Sequence, residues 1–427
     1  MRVAVVGAGV IGVCTAYFLA EAGHEVVVIE RRNNVAEEAS FGEPGIFAAN
    51  SIAPWAAPGM PSAFFSALWK SCSPIRLDSK LSPAMWGWIR LWKKECELAR
   101  YQINRERMFR LSSYSSDIML QLRDRYQLDY EQSSGFVQLF RTEQDRQLAQ
   151  TALKFLTDHD IRHTALDADG IRQIEPALGN SAALAGGIFF PDDGAGNCPL
   201  FTRQMRSLAQ ALGVEFHFGT TVRSIAQQDG GVMLQIDAHN FSADAVVLAT
   251  GADSAGLLHG LGMHIPTYPI KNYAATVAIR NFDAAPIAAL MDEHYKVAIT
   301  RMDNRIRIAG TAELGARNTA RSSDQNAAIQ AGEIQAGALH TLLTVANDWF
   351  PDACNYNTAT FWSSSSLMLP DGPPVIGATA HKNVFVNIGH GTSGWTMAAG
   401  AGKLVSAVVS GTATEIDISG LSAARYA

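Results

Sequence analysis

The first thirty residues constrain this chain more than any other stretch. Val3-Ala4-Val5-Val6 is a short apolar run rich in β-branched residues, and Gly7-Ala8-Gly9-Val10-Ile11-Gly12 follows it directly. A helix-patterned segment runs on to Ala22, Gly23 suits a helix C-cap, and Val26-Val27-Val28-Ile29 forms a second apolar run ending at Glu30. Strand, G-x-G-x-x-G turn, helix and second strand, with an acid 18 residues after the last glycine, make the opening βαβ unit of a dinucleotide-binding fold. Gly7 permits the tight turn, Gly9 admits a pyrophosphate against the backbone, and Gly12 lets the helix pack closely on the strand. The helix N-terminus adds N–H donors and the positive end of its dipole. Glu30 is placed to accept both hydroxyls of an adenosine ribose and would repel a 2′-phosphate. The rival is a signal peptide or membrane helix, because Val3 to Ala20 carries no charge behind Arg2 and Ala20-Glu21-Ala22 has a cleavage-site look. It fails on pattern: the β-branched run and the glycine turn break any single apolar helix. The motif alone does not separate FAD from NAD.

A second glycine turn narrows the cofactor. Val384-Phe385-Val386-Asn387-Ile388 reads as a strand running into Gly389-His390-Gly391-Thr392-Ser393-Gly394, and a helical pattern opens at Trp395. A second helix N-terminus is superfluous for a nicotinamide. It serves a flavin, whose N1–C2=O locus becomes anionic on reduction. Two such turns at opposite ends of one chain favour FAD. His390 is either a flavin neighbour or a residue that hydrogen-bonds only within its own turn.

Composition sets the outer bounds. A length of 427 residues suggests two or three domains. The 34 basic and 40 acidic residues leave −6, with no basic excess to hold nucleic acid. Cys14, Cys72, Cys96, Cys198 and Cys354 are scattered without a CxxC, which argues for a reducing, cytoplasmic setting and against a disulfide framework. No histidine lies in HExxH or a Cys/His cluster, so no metal site is expected.

Between the two turns the pattern changes. Residues 49–143 read as proline-punctuated loop followed by a long charged helix from Cys96 to Tyr126. Trp55, Trp69, Trp86, Trp88 and Trp92 fall there, among Lys70, Arg76, Lys80, Arg90, Lys93 and Lys94. They form either the aromatic packing of a cap or a patch, through residues 55–94, that rests on a membrane surface. Phe136–Phe140 and Gly187–Phe190 read as strands of a second sheet, and Val214–Val222 alternates like one continuous strand. A Gly230-Gly231 turn and Val232–Ile236 follow, then Ala243–Gly251, an apolar strand suited to the centre of a parallel sheet with its C-terminal edge toward the cofactor. Alternating strands dominate from Tyr268 to Ala312, and 323–347 is helix-patterned.

These residues resemble a known family, the D-amino acid dehydrogenases within the glycine oxidase/D-amino acid oxidase group. The resemblance spans the chain: Val5-Val6-Gly7-Ala8-Gly9-Val10-Ile11-Gly12, Ala53-Pro54-Trp55, Gln138-Leu139-Phe140-Arg141-Thr142, Tyr268-Pro269-Ile270-Lys271-Asn272-Tyr273, Asp292 to Arg301, Pro370-Asp371-Gly372 and Gly389 to Ala398. It implies an α/β chain with a Rossmann-like FAD-binding domain and a second α+β substrate domain built on an antiparallel sheet. The expected division is 1–48, 195–262 and 360–427 for the cofactor, and 49–194 and 263–359 for the cap. It further implies non-covalent FAD and oxidation of an amine carbon by hydride transfer to flavin N5. Electrons would pass to a quinone, dye or oxygen, from a protein in the cytoplasm or peripheral on the inner membrane.

Two departures from the family pattern bear on substrate. Where the family reads Trp-x-Gly-Leu-Arg-Pro, with an arginine that clamps the substrate carboxylate, this chain reads Trp362-Ser363-Ser364-Ser365-Ser366-Leu367. Where it reads Ser-Phe-Ala-Asn-(Ala/Gly)-Gly-Gln with a tyrosine a few residues on, this chain has Ser40-Phe41-Gly42-Glu43-Pro44-Gly45-Ile46 and Ser51. A serine cannot supply a bidentate guanidinium contact. Either Arg301 or Lys271 takes the carboxylate, or the substrate carries none there. The resemblance assigns Gly7, Ala8, Gly9, Ile11, Gly12, Glu30, Arg31, Arg32, Ser40, Gly45, Val222, Gly251 and residues Gly389 to Gly394 to the cofactor. It assigns Tyr273, Lys271, Arg301, Ser366, Ile46, Ser51 and His390 to the substrate pocket, with no residue needed as general base. A tailoring oxidase of an N-substituted amino acid or other amine, and a non-catalytic flavin-bearing subunit, stay open beside a D-amino acid dehydrogenase.

Overall fold

The structure is a computed structural model that describes residues 1–67, 72–77, 82–237, 239–314 and 335–426. The apolar run of the N-terminus becomes the strand Arg2–Val6 in the middle of a six-stranded sheet. Across that sheet the strands run Val375–Ala378, Val384–Ile388, Ala245–Leu248, Arg2–Val6, Glu25–Ile29 and Glu215–His217. All pairs are parallel except the outermost, Val375–Ala378 against Val384–Ile388. Both faces are covered, so the central strands are apolar on both sides rather than alternating. Val3, Val5, Val26 and Val28 meet a helical layer containing Val10–Glu21, Gly394–Ser410, Cys198–Ala211 and Leu98–Tyr126. Ala4, Val6, Val27 and Ile29 meet a three-stranded antiparallel meander, Val222–Gln228, Gly231–Ile236 and His239–Ala243.

The second sheet is larger and almost wholly antiparallel. Its main path runs Thr360–Met368, Tyr268–Ala278, Arg305–Leu314, Val297–Met302, Ala289–Asp292, Ser133–Phe140, Gly186–Ala195 and Ile46–Phe47. Helix Ala336–Trp349 covers one face through Leu339, Leu342 and Val345, packed on Val137, Tyr273, Ala275 and Ile308. The opposite face looks toward the loop at 40–45. Fold class is therefore a Rossmann-like cofactor unit joined to an α+β unit on an antiparallel sheet. The strand Thr360–Met368 hydrogen-bonds into the larger sheet, so a cofactor segment beginning at 360 would include a strand of its neighbour.

Several elements differ from the sequence-based expectations. Val214–Val222 is not one strand: Glu215–His217 ends at a turn, with Gly219 at φ +65 donating to the Arg32 carbonyl, and Val222–Gln228 then joins the meander. Ala243–Gly251 divides into the end of a meander strand and the central strand Ala245–Leu248. The charged helix is Leu98–Tyr126, preceded by a separate helix Pro83–Glu95, because Glu97 is extended between them. The expected helix at 323–347 is found as Ala336–Trp349, and 323–334 lies outside the described residues. Of the five tryptophans, Trp88 and Trp92 are buried against Ile270 and Met368, Trp55 is half-buried and Trp86 is 46% exposed, while Trp69 falls outside the described residues with Lys70 and Lys80. Among the described residues no helix is long and apolar enough to cross a membrane.

Candidate functional site

A cleft of about 480 Å³ follows the C-terminal ends of the parallel strands, where open α/β sheets bind their ligands. At its outer end stand the first glycine turn and Glu30. The Glu30 carboxylate is held by two backbone donors, Ala8 N–H at 2.7 Å and Arg32 N–H at 2.7 Å. Burial raises its proton affinity and the two N–H groups oppose that. Gly7 is at φ +104, and an added Cβ would lie 2.6 Å from the Ala249 carbonyl oxygen, so this turn is open only to glycine. A Cβ on Gly12 would run into the Gly7 carbonyl oxygen, which is why helix and turn can approach so closely. Ser40 Oγ accepts from Val10 N–H at 3.0 Å, tying the loop after the second strand to the head of helix Val10–Glu21. Arg31 also lines the cleft, with Nη2 on Glu38 at 2.7 Å and on Asp253 at 2.5 Å.

The inner end is formed by Ser365, Ser366 and Leu367 of the larger sheet's edge strand, by Asn387 to Gly391, by Gly394, and by Glu43. Burial pulls the His390 imidazole down to about 3, so the ring is neutral at any working pH. Its Nε2 and the Asn387 Oδ1 are buried with no hydrogen-bond partner among the described residues. The 40–45 loop is pinned to the larger sheet: Arg307 Nη1 donates to the Phe41 carbonyl at 2.7 Å and Thr300 Oγ1 to the Pro44 carbonyl at 2.5 Å. An added Cβ on Gly42 would meet Ser364 Oγ at 2.7 Å.

The structure brings together much of the set assigned from sequence and leaves part of it elsewhere. Gly7, Gly9, Ile11, Glu30, Arg31, Ser40, Val222, Gly251, Gly389, His390, Gly391, Gly394 and Ser366 all line this one cleft. Ala8 contributes its N–H to Glu30, Gly12 packs beneath the turn, and the Arg32 side chain turns to Glu38 at 2.6 Å. Gly45 donates no lining surface; its carbonyl accepts from Gly196 N–H at 2.8 Å and so holds the loop. Thr392 and Ser393 are not among the lining residues, and Thr392 is exposed.

Most of the residues assigned to substrate lie outside this cleft. Tyr273 is buried under helix Ala336–Trp349 with its hydroxyl on Glu313, and Lys271, two residues away, shares that face with its Nζ 5.5 Å from the Tyr273 ring centre. Strand alternation turns both away from the face that carries Asn272 and Ser366. Arg301 lies opposite Thr300 and Met302, over the Phe282 ring at 5.2 Å, with Nε on the Asp303 carbonyl. Ile46 pairs with Ala195 in the larger sheet, and the Ser51 N–H is bound by Asp193. None of the five lines the cleft. Glu43, which does line it, was missed; the available signal was an acid in an otherwise apolar loop just beyond the phosphate-side serine.

Comparison with known proteins decides the family. The sequence profile of the DAO family, FAD dependent oxidoreductase, matches residues 2–408. This chain belongs to that family. A D-amino acid dehydrogenase of Vibrio vulnificus (strain YJ016) is 38% identical over 430 residues, covering the whole of both chains. One from Neisseria meningitidis serogroup A / serotype 4A (strain DSM 15465 / Z2491) is 40% identical over 431 residues, again across both chains. Among solved structures, the fold is similar to glycine oxidase from Geobacillus kaustophilus, with TM-score 0.74, 23% identity, and 99% and 98% of the two chains covered. Iminodiacetate oxidase from Chelativorans sp. BNC1 gives 0.71 and 19%, over 99% and 98%. FAD is the cofactor of this FAD-dependent oxidoreductase. The cleft fits it: glycine turns too tight for a Cβ lie at one end, and orphaned polar atoms of Asn387 and His390 lie at the other.

Proposed function

We propose that this protein oxidises the C–N bond of an amine or amino acid, in the manner of a D-amino acid dehydrogenase with an altered carboxylate site. The observation that carries the reading is one continuous cleft that joins Glu30 to Ser366, in a chain alignable end to end with D-amino acid dehydrogenases. FAD, when bound, supplies a hydride acceptor. The chain's own residues then have separable tasks. Glu30 and the first glycine turn hold the nucleotide end, with Arg31, Ser40, Val222 and Gly251 beside them. The turn Gly389 to Gly394, at the head of helix Gly394–Ser410, would offer N–H groups and the positive dipole end to the flavin. Holding a neutral amine near the hydride acceptor is sufficient chemistry, because orientation alone can supply much of the barrier reduction.

Ser366 in place of a clamping arginine supports a substrate other than common D-amino acids. The reduced cofactor would pass electrons to a quinone, dye or oxygen, and the Pro83–Glu95 helix, with exposed Trp86 beside Arg90, Lys93 and Lys94, would rest on an anionic membrane surface. The test is an anaerobic screen of the purified yellow protein against D-amino acids, N-alkyl glycines and simple amines, read as loss of flavin absorbance. Bleaching by at least one of them is expected. A protein bleached by dithionite but by no amine would instead be a flavin-bearing subunit without this activity.

A further inference from the structure

The inner end of the cleft is electrostatically lopsided. Among the described residues that line it beside Ser366, only Glu43 and His390 are ionisable, and burial lowers His390. The lining cations, Arg31 and Arg223, belong to the nucleotide end with Glu30 and Asp253. Glu43 is 9% exposed and carries no hydrogen bond or salt bridge among the described residues. Its Oε1 faces the head of helix Gly394–Ser410, where a Cβ added to Gly394 would lie 4.0 Å away. Arg307 lowers its proton affinity electrostatically, but that guanidinium is itself buried, spends Nη1 on the Phe41 carbonyl and does not line the cleft. Behind Glu43 the Cys198 thiol is buried and held protonated. A carboxyl stranded in this way costs free energy until a donor reaches it. Burial lifts it to about 8, in the range where an approaching cation decides its charge.

We propose, resting on the amine-oxidation reading above, that Glu43 is the specificity-determining residue of the site and takes the ammonium group of an amine that carries no carboxylate toward Ser366, its carboxylate accepting the proton whose loss leaves the neutral amine. A substrate carboxylate placed there would meet an acid and a neutral serine and, among the described residues, no lining cation. An alkylammonium would meet a buried carboxyl that has no partner among the described residues. The selection is thus by charge, with the neutral Ser366–Asn272 pair leaving room on the far side.

Two ligands without an α-hydrogen, tert-butylamine and 2-aminoisobutyrate, test this on the FAD-loaded protein without turnover. They differ by a methyl group against a carboxylate. Each is titrated against the visible flavin spectrum of wild type, Glu43→Gln and Glu43→Asn, whose retained flavin absorbance reports folding. Wild type is expected to bind the amine at least tenfold more tightly than the amino acid, and both variants should bring that ratio to about one. A wild type that prefers 2-aminoisobutyrate or binds neither ligand, or variants that keep the wild-type ratio, would overturn the assignment. Bleaching by some amine alongside such a result leaves the amine-oxidation reading standing and removes only the role of Glu43. Absence of bleaching by any amine or amino acid removes the reading itself.

Discussion

The side-chain amide of Asn272 donates to Ser366 Oγ at 3.0 Å, across the edge pair of the larger sheet and beside the cofactor cleft. A small hydroxyl, held by a neutral amide, therefore stands at this edge of the cleft. Lys271 and Arg301 both face elsewhere, over the Tyr273 and Phe282 rings.

Placing a positive charge at Ser366 should change substrate preference. Ser366→Arg is expected to raise kcat/KM for D-alanine by about ten- to a thousandfold, the range of a charge-assisted bidentate contact in a partly dry site. Part of the gain should appear in kcat, because the same contact orients the α-carbon. Steady-state kinetics with a dye acceptor measure it. Efficient oxidation of D-alanine by the wild type would show that a carboxylate is bound by some other group.

Glu30 is expected to dominate retention of the nucleotide. Glu30→Ala removes the acceptor for the ribose and also releases the Ala8 and Arg32 N–H groups that shape the turn. The cost in FAD affinity should be about 2–4 kcal/mol. Equilibrium dialysis or flavin fluorescence during dilution gives the number; an unchanged dissociation constant would place the ribose elsewhere.

The raised carboxyl of Glu43 predicts a pH signature in the apoprotein. Its folded value, about 8, lies above the ordinary 4.5, so between those values the folded chain keeps a proton that the unfolded chain has released. Stability on this account falls as pH rises through that window and is level above it. Asp193, raised to about 7 by burial against its bonds from Asn50, adds a second decline ending lower. Thermal melts between about pH 5 and pH 9 should show a flatter profile for Glu43→Gln than for wild type. Parallel profiles would mean that Glu43 is ionised in the folded chain across this range.

Membrane contact rests on one exposed tryptophan. Co-sedimentation with anionic vesicles is expected at low salt and reduced at moderate salt, and Trp86→Ala should weaken it several-fold. Trp88→Ala would instead lower the melting temperature, because that ring is buried on Tyr268 and Ile270. No sedimentation of wild type in either salt would retire the membrane role.

Much of the cofactor end was legible because its signals are neighbours in the chain. Val3 to Glu30 carry strand, turn, helix and acid in one stretch, and Val384 to Gly394 carry the second turn in another. Glycine spacing and β-branched runs determine such units locally, before any long-range contact forms. Substrate-side residues were a different matter. Tyr273 and Asn272 are adjacent, yet one bonds to Glu313 and the other to Ser366, and the bulge between them resets the pairing with Arg305–Leu314. Which parity points inward depends on which sheet face the 40–45 loop covers, and that is settled by Arg307 on Phe41 and Thr300 on Pro44, more than 250 residues apart in sequence. The same reason hid Glu43, whose isolation comes from burial between two units rather than from its neighbours in the chain. The sequence by itself determined the dinucleotide fold and its cofactor. Tertiary structure alone decided which side chains share the cleft, because strand alternation specifies two faces and only packing chooses between them.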